Sequence, residues 1–237
     1  MMKSRKKMHN LFVVGTDTGV GKTVLSLLFM QFFFSRGYNP FYLKPVQTGC
    51  KDPHDSESDA KFIYRHVGPL KDRDPSNSVI YCFKNPKAPL IAARDEGTTI
   101  DLTVIERSVA EKTISYSPLI MEGAGGVLVP VAGNTFVADL IVRTHAVPVI
   151  AARAGLGTIN HTLLTIEALD KRGLTPMGIV FIDAEKKETP LEMALENKLA
   201  IEEASGVKVA GFIGRIRNFS KPPQACYVTL EKMFGSP

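Results

Sequence analysis

Apolar residues fill every position from Leu11 to Val14. After a short polar loop they return at nearly every position from Val24 to Arg36, and Gly37 stops the run. An unbroken apolar run of strand length followed by a longer one predicts a buried strand, a loop and a buried helix. Phe29, Phe32, Phe33 and Phe34 recur at helical spacing and read as core packed against a sheet. The same alternation continues. An apolar run at Pro40 to Leu43 precedes a helix from Ser58, and a helix from about Leu102 leads into Leu119 to Met121. Val147 to Ala151 precedes a helix over Ile159 to Lys171; Met177 to Phe181, a charged helix over Pro190 to Ala204, and Val207 to Phe212 close the series. Strands alternating with helices predict an α/β fold: a mostly parallel central sheet flanked by helices on both faces, in three layers. Ligands of such sheets bind beyond the carboxyl ends of the strands. Residues 68–89 carry Pro69, Pro75, Pro86 and Pro89 and read as an irregular excursion within one domain.

Composition narrows the class. The chain has 237 residues, 44% of them hydrophobic and 22% charged, which suits one large domain with a substantial core and excludes wholesale disorder. The net charge of +5 owes much to Lys3, Arg5, Lys6 and Lys7. Residues 1–10 therefore read as a basic, solvated N-terminal arm and 11–237 as the domain. No basic stripe is interleaved with aromatics, so no nucleic-acid partner is expected. The apolar run behind the arm ends at Gly15, short of what a signal peptide needs, and no stretch reaches membrane-spanning length. The cytoplasm is the expected location, with no membrane partner. Cys50, Cys82 and Cys226 show no close pairing or metal-type spacing and read as free thiols.

The candidate chemistry begins at Gly15-Thr16-Asp17-Thr18-Gly19-Val20-Gly21-Lys22-Thr23. A buried strand before it and a helix after it are the context of a phosphate-binding loop. There backbone N–H groups and the helix amino end surround phosphates, a lysine adds positive charge, and a hydroxyl reaches magnesium. Lys22 and Thr23 suit the last two roles. Against the common G-x-x-x-x-G-K-[ST] pattern, however, Thr16 stands where the first glycine belongs and Gly15 lies one place upstream. Magnesium on a nucleotide takes one or two carboxylates. Glu122 follows an apolar run and precedes Gly123-Ala124-Gly125-Gly126, where small residues admit a ligand to the backbone. Asp59 opens a helix after Ser58, where it serves either a metal or the helix dipole. Lys44 follows the second apolar run, as either a solvent-exposed lysine or a second cation in the crevice, suited to a reaction that builds negative charge.

The nine-residue loop resembles that of the dethiobiotin synthetase family. Further stretches resemble it in the same order: Lys44-Pro45-Val46-Gln47-Thr48-Gly49, Ser58-Asp59-Ala60, Glu122 to Gly126, and Leu156-Gly157-Thr158-Ile159-Asn160-His161. The resemblance implies a P-loop NTPase-like synthetase domain that closes the ureido ring of dethiobiotin from 7,8-diaminononanoate, carbon dioxide or bicarbonate, and ATP. It implies nucleotide binding by Thr18, Gly19, Val20, Gly21, Lys22, Thr23, Asp59, Glu122, Gly123, Ala124, Gly125, Asp183 and Gly214, and Mg2+ on Thr23, Asp59 and Glu122. Lys44 and Lys22 become the catalytic cations, and Thr18 and Thr48 position the diamine and carbamate. Thr158, Ile159 and Asn160 become a substrate-carboxylate site contributed by the second subunit of a homodimer, with Asn197 as a weaker match. The chain departs from the pattern at Ile182, where many relatives carry the Asn of an Asn-Asp pair, at Gly214 in place of a proline-ended turn, and at Gly19, an acidic position in some relatives. Ile182 has no hydrogen-bonding side chain, so relaxed choice of base is expected. The rival is a partition-type P-loop ATPase switch, which carries a second lysine early in the loop, where Asp17 stands here. An amidotransferase synthetase of cobalamin synthesis would need a glutaminase domain for which the length leaves no room.

Overall fold

A computed structural model of the chain describes residues 8–183 and 188–234. Most of the basic arm, including Lys3, Arg5, Lys6 and Lys7, lies outside those residues. Asn10 fastens the start of the first strand: its amide oxygen accepts from Leu119 N (3.0 Å) and its Nδ2 donates to Thr113 Oγ1.

The elements run β1 (Leu11–Gly15), α1 (Lys22–Ser35), β2 (Phe41–Thr48), α2 (Asp59–His66), β3 (Val79–Phe83), α3 (Pro89–Asp95), α4 (Leu102–Ser115) and β4 (Leu119–Gly126). They continue with β5 (Pro130–Ala132), β6 (Thr135–Phe136), α5 (Val137–Arg143), β7 (Val147–Ala152), α6 (Thr158–Asp170), β8 (Gly178–Ile182), α7 (Leu191–Ser205), β9 (Val209–Ile213) and α8 (Gln224–Phe234). Seven strands form one sheet in the order β3-β2-β4-β1-β7-β8-β9, with every neighbouring pair parallel. β5 and β6 make a separate antiparallel pair.

Alternation along β1 divides the core. Phe12 and Val14 pack with residues of α3, α4, α5, α6 and α7, whereas Leu11 and Val13 pack with α1, α2 and α8. The three-layer α/β expectation is therefore met. Phe29, Phe32 and Phe33 are buried, and Phe234 of α8 reaches the Phe33 ring at 5.3 Å between centroids; the aromatic run is core.

One expectation needs correction. The segment 68–89 is not wholly irregular, because it contains β3, one of the sheet's two edge strands. The Ser78 hydroxyl donates to Tyr42 O at 2.7 Å and accepts from Tyr64 Oη, anchoring the strand's start. Val79 to Phe83 is an unbroken apolar run of strand length, masked in the sequence only by the prolines that flank it. The β5–β6 pair, α3, α5 and α8 were not anticipated. Cys50 and Cys82, far apart in sequence, have sulfurs 3.4 Å apart at the ends of adjacent strands, although both remain free thiols. No helix among the described residues is long and apolar enough to cross a membrane.

Candidate active site

The sheet register places the candidate residues. Val13 of β1 pairs with Glu122 of β4, and Leu43 of β2 pairs with Met121, so Lys44 and Glu122 lie side by side one step further along. Side chains two apart share a face of a strand. Tyr42 and Ile120 belong to the core under α1 and α2, so Lys44 and Glu122 project toward those same two helices. Thr23 lies in the first turn of α1 and Asp59 opens α2, where Ser58 caps the helix by accepting from Lys61 N.

Four side chains consequently meet. Lys44 Nζ stands 2.7 Å from Asp59 Oδ2 and 2.9 Å from Glu122 Oε1, and donates to Gly123 O at 3.2 Å. An ammonium has three N–H groups, and these contacts occupy all of them. The Thr23 hydroxyl lies 2.8 Å from Asp59 Oδ1 and 2.9 Å from Glu122 Oε1. Two residues missed in the sequence complete the network. Tyr42 Oη donates to Glu122 Oε2 at 3.0 Å, and Gln47 Oε1 accepts from Asp59 N at 3.1 Å.

Burial would lower the Lys44 pKa, but Asp59 and Glu122 outweigh it and hold the ammonium above the ordinary lysine value. Burial likewise pushes Asp59 up, and Lys44 with Thr23 overrides it, leaving the carboxyl below its usual range. Lys22 goes the other way: burial, with Lys44 adding repulsion, brings it down to about 8. Burial and Glu122 together raise the Tyr42 phenol well above its ordinary value.

The loop accounts for the displaced glycine. A Cβ on Gly15 would lie 2.7 Å from Asp17 O, 2.8 Å from Lys22 Nζ and 2.8 Å from Val20 Cγ2. Lys22 Nζ donates to that same Asp17 carbonyl at 2.8 Å, so the chain needs its glycine at 15, where loop and lysine fold back together. Gly21 has φ +93 at the amino end of α1, and a Cβ there would strike Ile182 Cγ2 at 2.7 Å. Ile182 is thus 3% exposed and packed beneath the loop.

A cavity of about 590 Å³ opens over this network. Of the expected residues it gathers Thr18, Gly19, Gly21, Lys22, Thr23, Lys44, Thr48, Asp59, Glu122, Ala124 and Gly125. Pro86 to Pro89, between β3 and α3, and Val129 were missed and also line it; nothing local in the sequence marks a wall brought in by tertiary folding. The Val20 side chain packs into the core, 1% exposed, and leaves its backbone to meet a phosphate. Gly123 contributes its carbonyl to Lys44, while its Cα faces Val137 and Phe12.

The remaining expected residues stand outside the cavity. Asp183 follows β8 and carries a buried Oδ1 with no partner among the described residues. Gly214 follows β9, where an added Cβ would approach nothing nearer than the Phe212 ring at 4.0 Å. Thr158, Ile159 and Asn160 form the first turn of α6. The Thr158 hydroxyl is occupied by Arg153 O at 2.6 Å, and Ile159 packs on the core. Asn197 Nδ2 donates to Ala154 O at 2.7 Å and to Gly155 O, so its amide holds the loop before α6 in its own chain.

Two carboxylates that each lie within 2.9 Å of the Thr23 hydroxyl are, with it, hard oxygen ligands suited to a magnesium ion that keeps further waters or phosphates.

Comparison with known proteins adds an independent line. Residues 9–223 match the family model described as AAA domain. Three relatives are each named ATP-dependent dethiobiotin synthetase BioD. That of Hydrogenobaculum sp. is 39% identical over 72% of this chain and 75% of its own. That of Methanococcus vannielii is 32% identical over 94% and 98%. That of Paramagnetospirillum magneticum is 38% identical over 85% and 86%. Among solved structures, the MinC:MinD cell division protein complex of Aquifex aeolicus superposes with TM-score 0.62, covering 97% of both chains at 13% identity. The signal recognition particle receptor FtsY of Elizabethkingia anophelis gives 0.54, over 96% of this chain and 66% of that one, at 13% identity. At such identities the structural likeness is one of fold.

Proposed function

The chain belongs to the ATP-dependent dethiobiotin synthetase family, and from that premise we propose which of its residues carry the reaction. The activity is that of an ATP-dependent ligase in biotin synthesis. One amine of 7,8-diaminononanoate captures carbon dioxide as a carbamate, a carbamate oxygen takes the γ-phosphoryl group of ATP, and the second amine attacks the carbonyl carbon. Phosphate leaves and the ureido ring closes.

Every stage concentrates negative charge, and the observation that carries the assignment is Lys44 buried against Asp59 and Glu122 beside Lys22 in one cavity. Lys22 and the loop N–H groups hold the triphosphate. Lys44 steadies the carbamate and the transferring phosphoryl group, exchanging one of its three present contacts to do so. Thr18 and Thr48 line the same cavity and position the diamine and carbamate. Thr23, Asp59 and Glu122 would hold magnesium, which when bound supplies charge neutralisation on the phosphates. Purified protein given ATP, magnesium, bicarbonate and the diamine is expected to form dethiobiotin and ADP in equal amounts. ATP hydrolysis indifferent to the diamine would overturn the assignment.

Choice of base is expected to be loose, because Ile182 packs under the loop and offers no hydrogen bond. Loss of one polar contact is worth about 1 kcal/mol, so kcat/KM for ATP and GTP should agree within roughly tenfold. Parallel product assays with four triphosphates measure this, and a preference of several hundredfold for ATP would reject it.

A homodimer is supported by Leu156 (96% exposed), Leu164, Leu191, Leu195 and Leu199, carried by α6, α7 and the loop leading into α6. Exposed apolar clusters of this kind mark interfaces. The same face presents the amino end of α6, where the Thr158 N–H is taken by Gly155 O and those of Ile159 and Asn160 suit the substrate carboxylate of the opposing subunit. Leu195→Glu with Leu199→Glu is expected to give monomers by light scattering and to raise the diamine KM while nucleotide affinity is kept. A wild-type enzyme that is monomeric and fully active would contradict this.

A further inference from the structure

We infer that the outer face of α2 carries a second anion site, separate from the active-site cavity, that takes a compact polyphosphate anion from solution. A cavity of about 430 Å³ lies there, within the size range of small-ligand pockets, and it shares no lining residue with the catalytic one. Four permanent cations line it: Lys61 and Arg65 from α2, and Lys71 and Arg73 from the turn beyond the 3-10 helix Gly68–Leu70. His54 joins them, and no carboxylate is among the lining residues.

Lys61 and Arg65 stand four apart on one helix, where like charges repel, and Lys71 and Arg73 face the same space. Among the described residues none of the four makes an ion pair. Asp72 and Glu57 are exposed and do not line the cavity, and the other acidic side chains of the segment have partners of their own. Asp55 accepts from Lys51 N and Glu57 N, Asp52 accepts from His54 N, Asp59 is engaged by Lys44, and Asp74 accepts from Ser76 N while contacting His54 Nε2 at 3.3 Å. The floor is fixed, since Tyr64 is 5% exposed and its hydroxyl is bonded to Ser78. Two guanidinium forks and two ammonium groups around a concave space match the several oxygens of a phosphate chain better than a single carboxylate.

The test is calorimetric titration of inorganic pyrophosphate into the full chain after its phosphate loop has been filled with a magnesium-bound, non-hydrolysable ATP analogue. One further pyrophosphate per chain is expected, bound less tightly as salt rises. Lys61→Gln with Arg65→Gln should weaken it at least about tenfold, the loss of charge-assisted hydrogen bonds, with turnover unchanged; Lys61→Arg should preserve it. No binding beyond the loop, equal binding by the double variant, or binding only to phosphatidylglycerol vesicles would overturn the inference.

Discussion

Lys44→Gln is expected to cut turnover by roughly 10³-fold or more, the scale of losing a donor aimed at developing negative charge, and here a full charge goes with it. The same substitution should also lower stability. Lys44 is 4% exposed and touches two carboxylates, and Glu122 is 1% exposed. Removing one partner from such a group leaves buried charge uncompensated, at a cost of about 3 kcal/mol. The two effects separate by measurement. Urea unfolding reads the second, and added magnesium should recover more stability in Lys44→Gln than in the wild type, because a cation can then take the place left between Asp59 and Glu122. Product formation reads the first, and magnesium should not restore it. Normal turnover in this variant would remove Lys44 from the chemistry; unchanged stability would mean that the carboxylates do not depend on it.

Gly15→Ala is the second large effect. Its methyl group would overlap the Asp17 carbonyl, the Lys22 ammonium and Val20 at 2.7–2.8 Å. Lys22 could swing away, but the carbonyl belongs to the loop backbone and Val20 to the core. The loop must therefore open, with a loss of about 2 kcal/mol of stability. Nucleotide affinity should fall by roughly 100-fold, as a misplaced loop forfeits charge-assisted contacts worth about 3 kcal/mol. Gly19→Ala is the contrast, since nothing lies within 4 Å of its added Cβ and only the φ of +71 opposes it; a cost near 1 kcal/mol is expected. Titration with a fluorescent ATP analogue compares the two. Equal affinities would show that the upstream glycine is a sequence variation without structural need.

The contrast also shows what could be read in advance. β1, β4 and β7 were legible because strands buried on both faces are apolar without interruption, and α1 because its partners are the sheet and α8. β3 was not, although Val79 to Phe83 is an unbroken apolar run, because the prolines on both sides of it read as an irregular segment. The cysteine contact depends on which strands neighbour each other, which no local pattern encodes. At the site, Lys22, Thr23, Asp59 and Glu122 were legible from strand ends, a glycine loop and a helix start. The state of Lys44 was not, because only the β2–β4 register decides whether it meets Glu122 or water. Tyr42, Gln47 and the Pro86–Pro89 wall act through tertiary contacts alone, as does the packing of the Val20 side chain from its loop into the core.

The central claim is that this cavity transfers a phosphoryl group to a carbamate oxygen. The direct measurement follows oxygen: the enzyme is given ATP, magnesium, the diamine and ¹⁸O-labelled bicarbonate in unlabelled water, and the released phosphate is analysed before the label exchanges. Ring closure by this route breaks the carbon–oxygen bond, so the expected phosphate carries one ¹⁸O per dethiobiotin formed. Phosphate that draws its new oxygen from water, with or without the diamine, would contradict the account.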